Sequence, residues 1–500
     1  MKNQVQLITY IDRLGEKDIV YLTELLKDPF RGLFGGVHLL PFFYPIDGED
    51  AGFDPIDHNQ VDPTLGNWND IKRLSQEVDV MADLIVNHIS ADSSAFQDVL
   101  EKGVDSPFYE LFLTYDRVFP NGATEEELLA IYRPRPGFPF SSIMLQNGSK
   151  KLFWTTFTQK QIDIDVNHFQ GRSYLSSILN TFQDAGIKMI RIDAAGYAIK
   201  TPGTSCFMTP DTFEFIGSLT KEAQNLGIEV LVEIHSYYQK QIDIAKKVDW
   251  VYDFALPPLI LHTLFQQNSQ DLIKWLKISP RNALTVLDTH DGIGIVDIGS
   301  GSQPGEEKGL VLPHLIDQLV ETIHEKSNGT SRKATGEAAS NLDLYQVNCT
   351  YYEALGKDDN QYLIARMIQF FAPGIPQVYY MGLLAGENDM ELLAKTGVGR
   401  DINRHYYSGE EIDQQLENPV VQRLMQLIRF RNQYPAFQGT FSILDTPSHQ
   451  INLRWEVEPK WTELFIDLQN STYSISFGSG SEKREVSDLF QLPDLKKMES

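Results

Sequence analysis

The amino-acid sequence predicts an α/β protein: a closed (β/α)8 TIM barrel with two loop-inserted subdomains and a small C-terminal antiparallel β domain. Three observations carry that expectation. Eight short apolar runs alternate with helix-like stretches, two connections are far longer than a plain turn, and the helical pattern stops near Phe437. Alternating strands and helices argue for a parallel sheet, and eight strands are the number that closes one into a barrel. A doubly wound open sheet is the alternative assembly of the same elements.

The runs are VQLIT from Val5, VHLLPF from Val37, VMADLIV from Val80, IKMIRI from Ile187, IEVLVE from Ile228, VDWVYDF from Val248, ALTVLD from Ala283 and IPQVYYM from Ile375. Amphipathic stretches precede several of them. SYLSSILNTFQDAG and TFEFIGSLTKEAQNLG each end on a glycine suited to close a helix. One long connection runs from His88 to about Phe169 and the other from about Gly292 to Asn360, both after strand ends, where a barrel carries its chemistry. The expected division is a barrel of residues 1–85, 168–292 and 357–436, a first insertion of 86–167 and a second of 293–356. Residues 437–500 form the C-terminal β domain, read from INLRWEVE, LFIDLQ and YSISFG. GSGSQPGEEKG, at 299–309, reads as a flexible loop, and without a strand before it and a helix after it, it is not a nucleotide-binding loop.

Five hundred residues, 42% hydrophobic and 22% charged, suffice for a large principal domain with companions. The 68 acidic residues against 43 basic give a net charge of -25, which repels nucleic acid and anionic membranes. A small anionic ligand therefore needs a local basic site. The first residues, MKNQVQLITYIDRLG, lack a leader pattern, and FALPPLILHTLF is too short and proline-broken to span a bilayer, so a cytoplasmic protein is expected. Cys206 and Cys349 are the two cysteines, expected as reduced thiols. HNQVD and DGED offer oxygen ligands, but acid-rich loops are ordinarily solvated, and no obligatory calcium or zinc is expected.

Charged and imidazole side chains collect where the strands should end. Asn87 and His88 follow the third strand, Arg191 and Asp193 close the fourth, Glu233 follows the fifth, and His290 and Asp291 follow the seventh. Strand alternation puts Arg191 and Asp193 on one face. A lone carboxylate there is ordinarily a cap or ion pair, but that reading must explain every one of these groups independently at one rim. Paired carboxylates suit glycoside chemistry, one attacking the anomeric carbon and one donating a proton to the leaving oxygen. Arg191 is expected to keep Asp193 ionised, while Glu233, near other acids, keeps its proton.

DLIVNH, RIDAAGY, VEIH and THD, in this order, resemble the four signature segments of the α-amylase clan, glycoside hydrolase family 13. Over nearly its whole length the chain further resembles the sucrose phosphorylase family of that clan, through VQLITYIDRLG, GVHLLPFFYPIDGEDAGFDPIDH, FPNGATEEELLAIYRPRPG, GTSCFMTP, VYDFALPP, AASNLDLYQVN and GRDINRHYY. The resemblance implies a cofactor-free hexosyltransferase that moves glucose from sucrose to inorganic phosphate, giving α-D-glucose 1-phosphate and fructose with retention. Asp193 is then the nucleophile, Glu233 the acid/base and Asp291 the group that binds sugar hydroxyls in the transition state. Asp50, Phe53, His88, Phe157, Arg191, His290 and Arg400 match the family's glucose-binding positions.

On the acceptor side the resemblance points to Tyr197, Ile234, His235, Arg135 and a mobile loop, NLDLYQ, whose Leu342, Asp343, Tyr345 and Gln346 serve fructose and phosphate in turn. A guanidinium such as Arg135 binds phosphate through a two-pronged fork. Sibling phosphorylases act on sucrose 6'-phosphate, glucosylglycerol or glucosylglycerate, but Pro134 and Tyr345 resemble the pattern for unphosphorylated sucrose. A clan hydrolase or transglucosylase would share the nucleophile and differ in acceptor. A sugar-sensing or assembly barrel is the non-enzyme reading, which Asp193, Glu233 and Asp291 oppose. The family includes homodimers, and the sequence leaves that state open.

Overall fold

The computed structural model describes residues 1–48, 50–134, 137–301, 308–335 and 346–493. All eight runs form strands: β1 Gln6–Thr9, β2 Gly36–Leu39, β3 Asp79–Ile85, β4 Met189–Asp193, β5 Glu229–Val232, β6 Trp250–Asp253, β7 Ala283–Thr285 and β8 Ile375–Tyr379. They pair in chain order around a ring that closes from β8 to β1, every pair parallel, so the barrel is the fold and the open sheet is excluded. Every residue of β1, β2, β7 and β8 is buried, which is why these strands read as unbroken apolar runs rather than alternating ones.

The two amphipathic stretches are helices α1 Phe169–Asp184 and α2 Pro210–Asn225. Thr209 caps α2 by accepting from the Thr212 backbone N–H, and Pro210 supplies the fixed φ of a first helical residue. Both helices end as their glycines require. Gly186 lies at φ +78°, with its N–H on the Gln183 carbonyl at 3.0 Å and that of Ile187 on the Phe182 carbonyl at 3.0 Å. Gly227, at φ +75°, closes α2 by the same pair of bonds. A Cβ on Gly186 would also lie 2.5 Å from Ser75 Oγ. Gly186→Ala is therefore expected to cost about 1–2 kcal/mol for the left-handed backbone alone, read as a lower urea midpoint.

Each long insertion leaves and rejoins the barrel through a short two-stranded stem. In the first, His88–Ser90 pairs antiparallel with Gln161–Asp163, and a hairpin of Phe140–Met144 and Lys150–Trp154 rises above it. This insertion carries a small core of its own, Leu113, Val118, Phe119, Ile131 and Trp154, joined by Cys206 from beyond α1. In the second, Ile293–Gly294 pairs with Gln346–Val347, and the helix Pro313–Lys326 lies between.

The segment joining β7 to the rim is fixed from below by a buried ion pair. Arg366 Nη2 lies 2.9 Å from both Asp288 oxygens, its Nη1 donates to Gln369 Oε1 at 3.0 Å and its Nε to the Tyr362 hydroxyl at 3.0 Å. Both partners are enclosed, so no solvent competes for the pair.

The C-terminal domain is a five-stranded antiparallel sheet in chain order, Thr440–Ile443, Gln450–Val457, Lys460–Asp467, Thr472–Ser479 and Glu482–Val486. Its three inner strands are those the sequence shows. The two edges are short: EKREV is charged and mostly exposed, so it lacks the apolar alternation that marks the others, and TFSI alternates over four residues alone. Trp455 Nε1 ties the sheet to the barrel by donating to the Phe371 carbonyl at 2.8 Å.

Candidate active site

Strand register assembles the rim. Arg191 on β4 is paired across to Asp83 on β3 and to Leu231 on β5. Its guanidinium, 2% exposed, meets three carboxylates: it bonds Asp83, lies 3.1 Å from Asp193 Oδ1 and 2.6 Å from Glu233 Oε1. Asp83 also takes His38 Nε2 at 3.0 Å. Burial disfavours the Asp83 anion, but Arg191 and His38 outweigh it and hold the carboxyl down at about 2.

Asp193 differs from the expectation drawn from its neighbour. Burial pushes its carboxyl well above the ordinary aspartate range, Arg191 pulls it down, and the charges of Glu233, Asp83 and Asp291 push it further up. Arg191 is shared among three acids, so it does not by itself keep Asp193 ionised. Beyond Asp193, Ala194 adopts a left-handed conformation at φ 53°, which turns the chain sharply into the turn Ala195–Tyr197. That conformation costs an alanine about 1–2 kcal/mol.

Asp291 has the opposite environment. Burial would raise its carboxyl, but the guanidinium groups of Arg400, with Nη1 at 2.7 Å, and Arg404, with Nη2 at 3.9 Å, drive it far below the ordinary range. His290 is kept neutral by burial and stacks on Phe53, ring centroids 4.9 Å apart and planes 10° apart. Burial likewise lowers His88, whose Nε2 lies 3.0 Å from the Phe53 carbonyl and 3.1 Å from Gln161 Nε2. The same Gln161 amide donates to Asp50 Oδ2 at 3.4 Å. Phe157 packs between His88 and Tyr197, at 5.2 and 5.1 Å, and Tyr197 continues into Phe207 at 4.6 Å.

On the other flank, Ile234 is buried and His235 stacks on Phe254 at 3.8 Å. His235 Nε2 lies 4.0 Å from Glu233 Oε1 and 3.5 Å from Gln346 Nε2. Asp50, Phe53, His88, Phe157, Arg191, Tyr197, Glu233, His235, His290, Asp291, Gln346 and Arg400 thus gather through these contacts in the rim around Asp193, and Ile234 is buried between Glu233 and His235 in the chain. Arg135, Leu342, Asp343 and Tyr345 lie outside the described residues.

Asp83, Gln161, Asp297 and Arg404 were missed in the sequence. Asp83 and Asp297 carry the same signal as Asp193, an acid set in an apolar run, in DLIV and GIVDIG. Gln161 and Arg404 carry none. Ligand atoms of Glu233, His235 and Asp291 lie within 4.8 Å of one another, a spacing a cation could bridge, although Arg191 and Arg400 already sit against both carboxylates.

A closed parallel barrel whose rim brings two carboxylates onto one guanidinium, with a third on another, has the build of the α-amylase-type catalytic domain. The family description "Alpha amylase, catalytic domain" matches residues 19–254. The chain is 58% identical to a sucrose phosphorylase of Agrobacterium vitis over 95% of this chain and 97% of that protein. It is 55% identical to a sucrose phosphorylase of Bifidobacterium adolescentis over 93% and 92%. A crystal structure of sucrose 6F-phosphate phosphorylase from Thermoanaerobacter thermosaccharolyticum superposes with a TM-score of 0.89 at 39% identity, covering 97% of this chain and 98% of that one. The chain belongs to the sucrose phosphorylase family of the α-amylase clan.

Proposed function

We propose that the protein is a sucrose phosphorylase, a hexosyltransferase that forms α-D-glucose 1-phosphate and D-fructose from sucrose and inorganic phosphate. The observation that carries this reading is the convergence of Asp193 and Glu233 on Arg191, in a chain whose relatives over nearly its whole length bear that name.

In the first half-reaction an Asp193 oxygen attacks the anomeric carbon as its bond to the fructosyl oxygen breaks, and Glu233 delivers its proton to that oxygen. In the second, a phosphate oxygen attacks the same carbon, the bond to Asp193 breaks, and the phosphate proton returns to Glu233. Two inversions give retention. The upward push on Asp193 means that this carboxyl holds a proton readily in the ligand-free site, and it must have lost that proton when it attacks. Asp291, firmly ionised, accepts from sugar hydroxyls, while the neutral His88 and His290 exchange hydrogen bonds with them. Asp50 and Arg400 hold the hydroxyls farthest from the reacting carbon, and Phe53 and Phe157 border the ring.

Tyr197, Ile234, His235 and Gln346 form the acceptor side with Arg135, Leu342, Asp343 and Tyr345. The same reading takes 86–167 and 293–356 as inserted domains, 437–500 as the C-terminal domain and the rest as barrel, in a cytoplasmic enzyme that needs no cofactor. No described helix is long and apolar enough to cross a membrane.

The test is incubation with sucrose, with and without inorganic phosphate, quantifying glucose 1-phosphate, glucose and fructose. Phosphate-dependent glucose 1-phosphate equal to fructose is expected. Free glucose regardless of phosphate would replace the reading with a hydrolase, and turnover only of a phosphorylated or glyceryl glucoside would assign a sibling phosphorylase. Arg135→Ala is expected to lower kcat/KM for phosphate about 10- to 100-fold while reducing hydrolysis less, the size of one charge-assisted hydrogen bond. Equal loss of both would remove Arg135 from the phosphate site.

A further inference from the structure

A histidine interrupts the apolar run VHLLPF, and the barrel encloses it. His38 on β2 is 1% exposed, its Nε2 lies 3.0 Å from Asp83 Oδ2 on β3, and its Nδ1 lies 3.4 Å from the Tyr252 hydroxyl on β6. β2 and β6 stand on opposite walls of the ring, so the contact between them crosses the barrel interior below the rim. Asp83 is fully enclosed and firmly ionised, so it can only accept, and Nε2 is a nitrogen that carries a proton. Burial pushes the Tyr252 phenol up, so its hydroxyl stays protonated beside Nδ1. Both ring nitrogens are engaged.

What His38 governs lies one bond further on. Arg191 Nη1 bonds Asp83 Oδ1 and lies 3.1 Å from Asp193 Oδ1, so a single nitrogen serves both carboxylates, while Nη2 lies 2.6 Å from Glu233 Oε1. A carboxylate with both oxygens free takes a guanidinium through a two-pronged fork, the stronger arrangement. Asp83 has one oxygen to give, because His38 holds the other.

We infer that His38 is a positioning residue for the nucleophile: by holding Asp83 Oδ2 it limits Asp83 to a single contact with Arg191 and leaves the guanidinium set against Asp193 and Glu233. The inference rests on the proposed glucosyl transfer through Asp193. The other groups that face this guanidinium and the nucleophile are Glu233 after β5, Tyr252 on β6, and His290 and Asp291 after β7. Burial raises the Asp193 carboxyl, Arg191 lowers it, and Glu233, Asp83 and Asp291 raise it further. A guanidinium drawn off towards Asp83 therefore leaves Asp193 harder to ionise.

The test is the pH profile of kcat/KM for α-D-glucosyl fluoride, with phosphate as acceptor, in His38→Leu, His38→Gln and the wild-type enzyme. Fluoride departs without a proton from Glu233, so the acid limb reports the ionisation of Asp193 in the free enzyme. His38→Leu is expected to move that limb up by about one pH unit and to lower the plateau about 10-fold, the scale of one hydrogen bond to a charged group. His38→Gln, whose amide nitrogen reaches the place of Nε2, should recover most of that shift. His38→Asn is too short to reach Asp83, should behave as His38→Leu does, and serves if the leucine variant does not fold. An acid limb left in place at whatever rate, or one moved as far by glutamine as by leucine, would reduce His38 to a structural residue, as would failure of both the leucine and asparagine variants to fold. A wild-type enzyme that transfers no glucose from the fluoride or from sucrose would overturn the proposed function as well, whereas wild-type turnover with an unmoved limb in the variants overturns this inference alone.

Discussion

Asp193→Asn is expected to lower glucosyl transfer from sucrose by on the order of 10^4-fold or more, to phosphate and to water alike, and at the same time to stabilise the fold at neutral pH. The first effect follows from removing the atom that bonds the anomeric carbon. The second follows from the charges around it, since Asp193, Glu233 and Asp83 share one guanidinium in an enclosed site. Burial, reinforced by the neighbouring acids, raises the Asp193 carboxyl against the pull of Arg191. As pH climbs from the ordinary aspartate range towards that raised value, the folded chain holds a proton the unfolded chain has released, and stability falls across the window. Asparagine carries no such liability. Urea midpoints of the two proteins should therefore diverge as pH rises from acid to neutral, the variant ending higher. A variant equally or less stable at neutral pH would contradict the charge balance drawn here.

Arg366→Met is expected to produce the largest loss of stability, about 3–5 kcal/mol, because it leaves Asp288 enclosed without its cation. Burial already raises the Asp288 carboxyl, and Arg366 is what holds it down. Replacing both partners, Arg366→Met with Asp288→Leu, should recover much of that loss, since the penalty belongs to the orphaned charge rather than to the missing attraction. Chemical denaturation of the wild type and the two variants measures this directly. Asp288 begins the segment that presents His290 and Asp291, so the single variant should also lose activity through displaced sugar contacts.

The barrel was legible because parallel strands covered on both faces appear as unbroken apolar runs, and all eight were recovered in register order. The edge strands of the terminal sheet were not, because charged residues erase the pattern of EKREV and TFSI is too short at four residues to establish one. At the site, an acid at the end of an apolar strand was a readable signal for Asp193 and Glu233. Which cation serves which acid was not, since Arg191 is divided among three partners only once β3, β4 and β5 lie side by side. Gln161 was invisible for a related reason: its partners, Asp50 and His88, lie more than seventy positions away in the chain.

The two stems have a bearing on how such a chain can change. Each insertion is a loop whose ends are pinned by paired backbone directly above the barrel, and each stem itself carries a rim residue, His88 and Gln161 in one, Gln346 in the other. Closing a longer loop across a fixed stem costs little, about 0.6 kcal/mol for each doubling of its length. Stretches of either insertion away from the rim residues can therefore be lengthened at little closure cost while the strands below keep the nucleophile in place. New partners for the transferred sugar can then be explored without rebuilding the machinery that releases it.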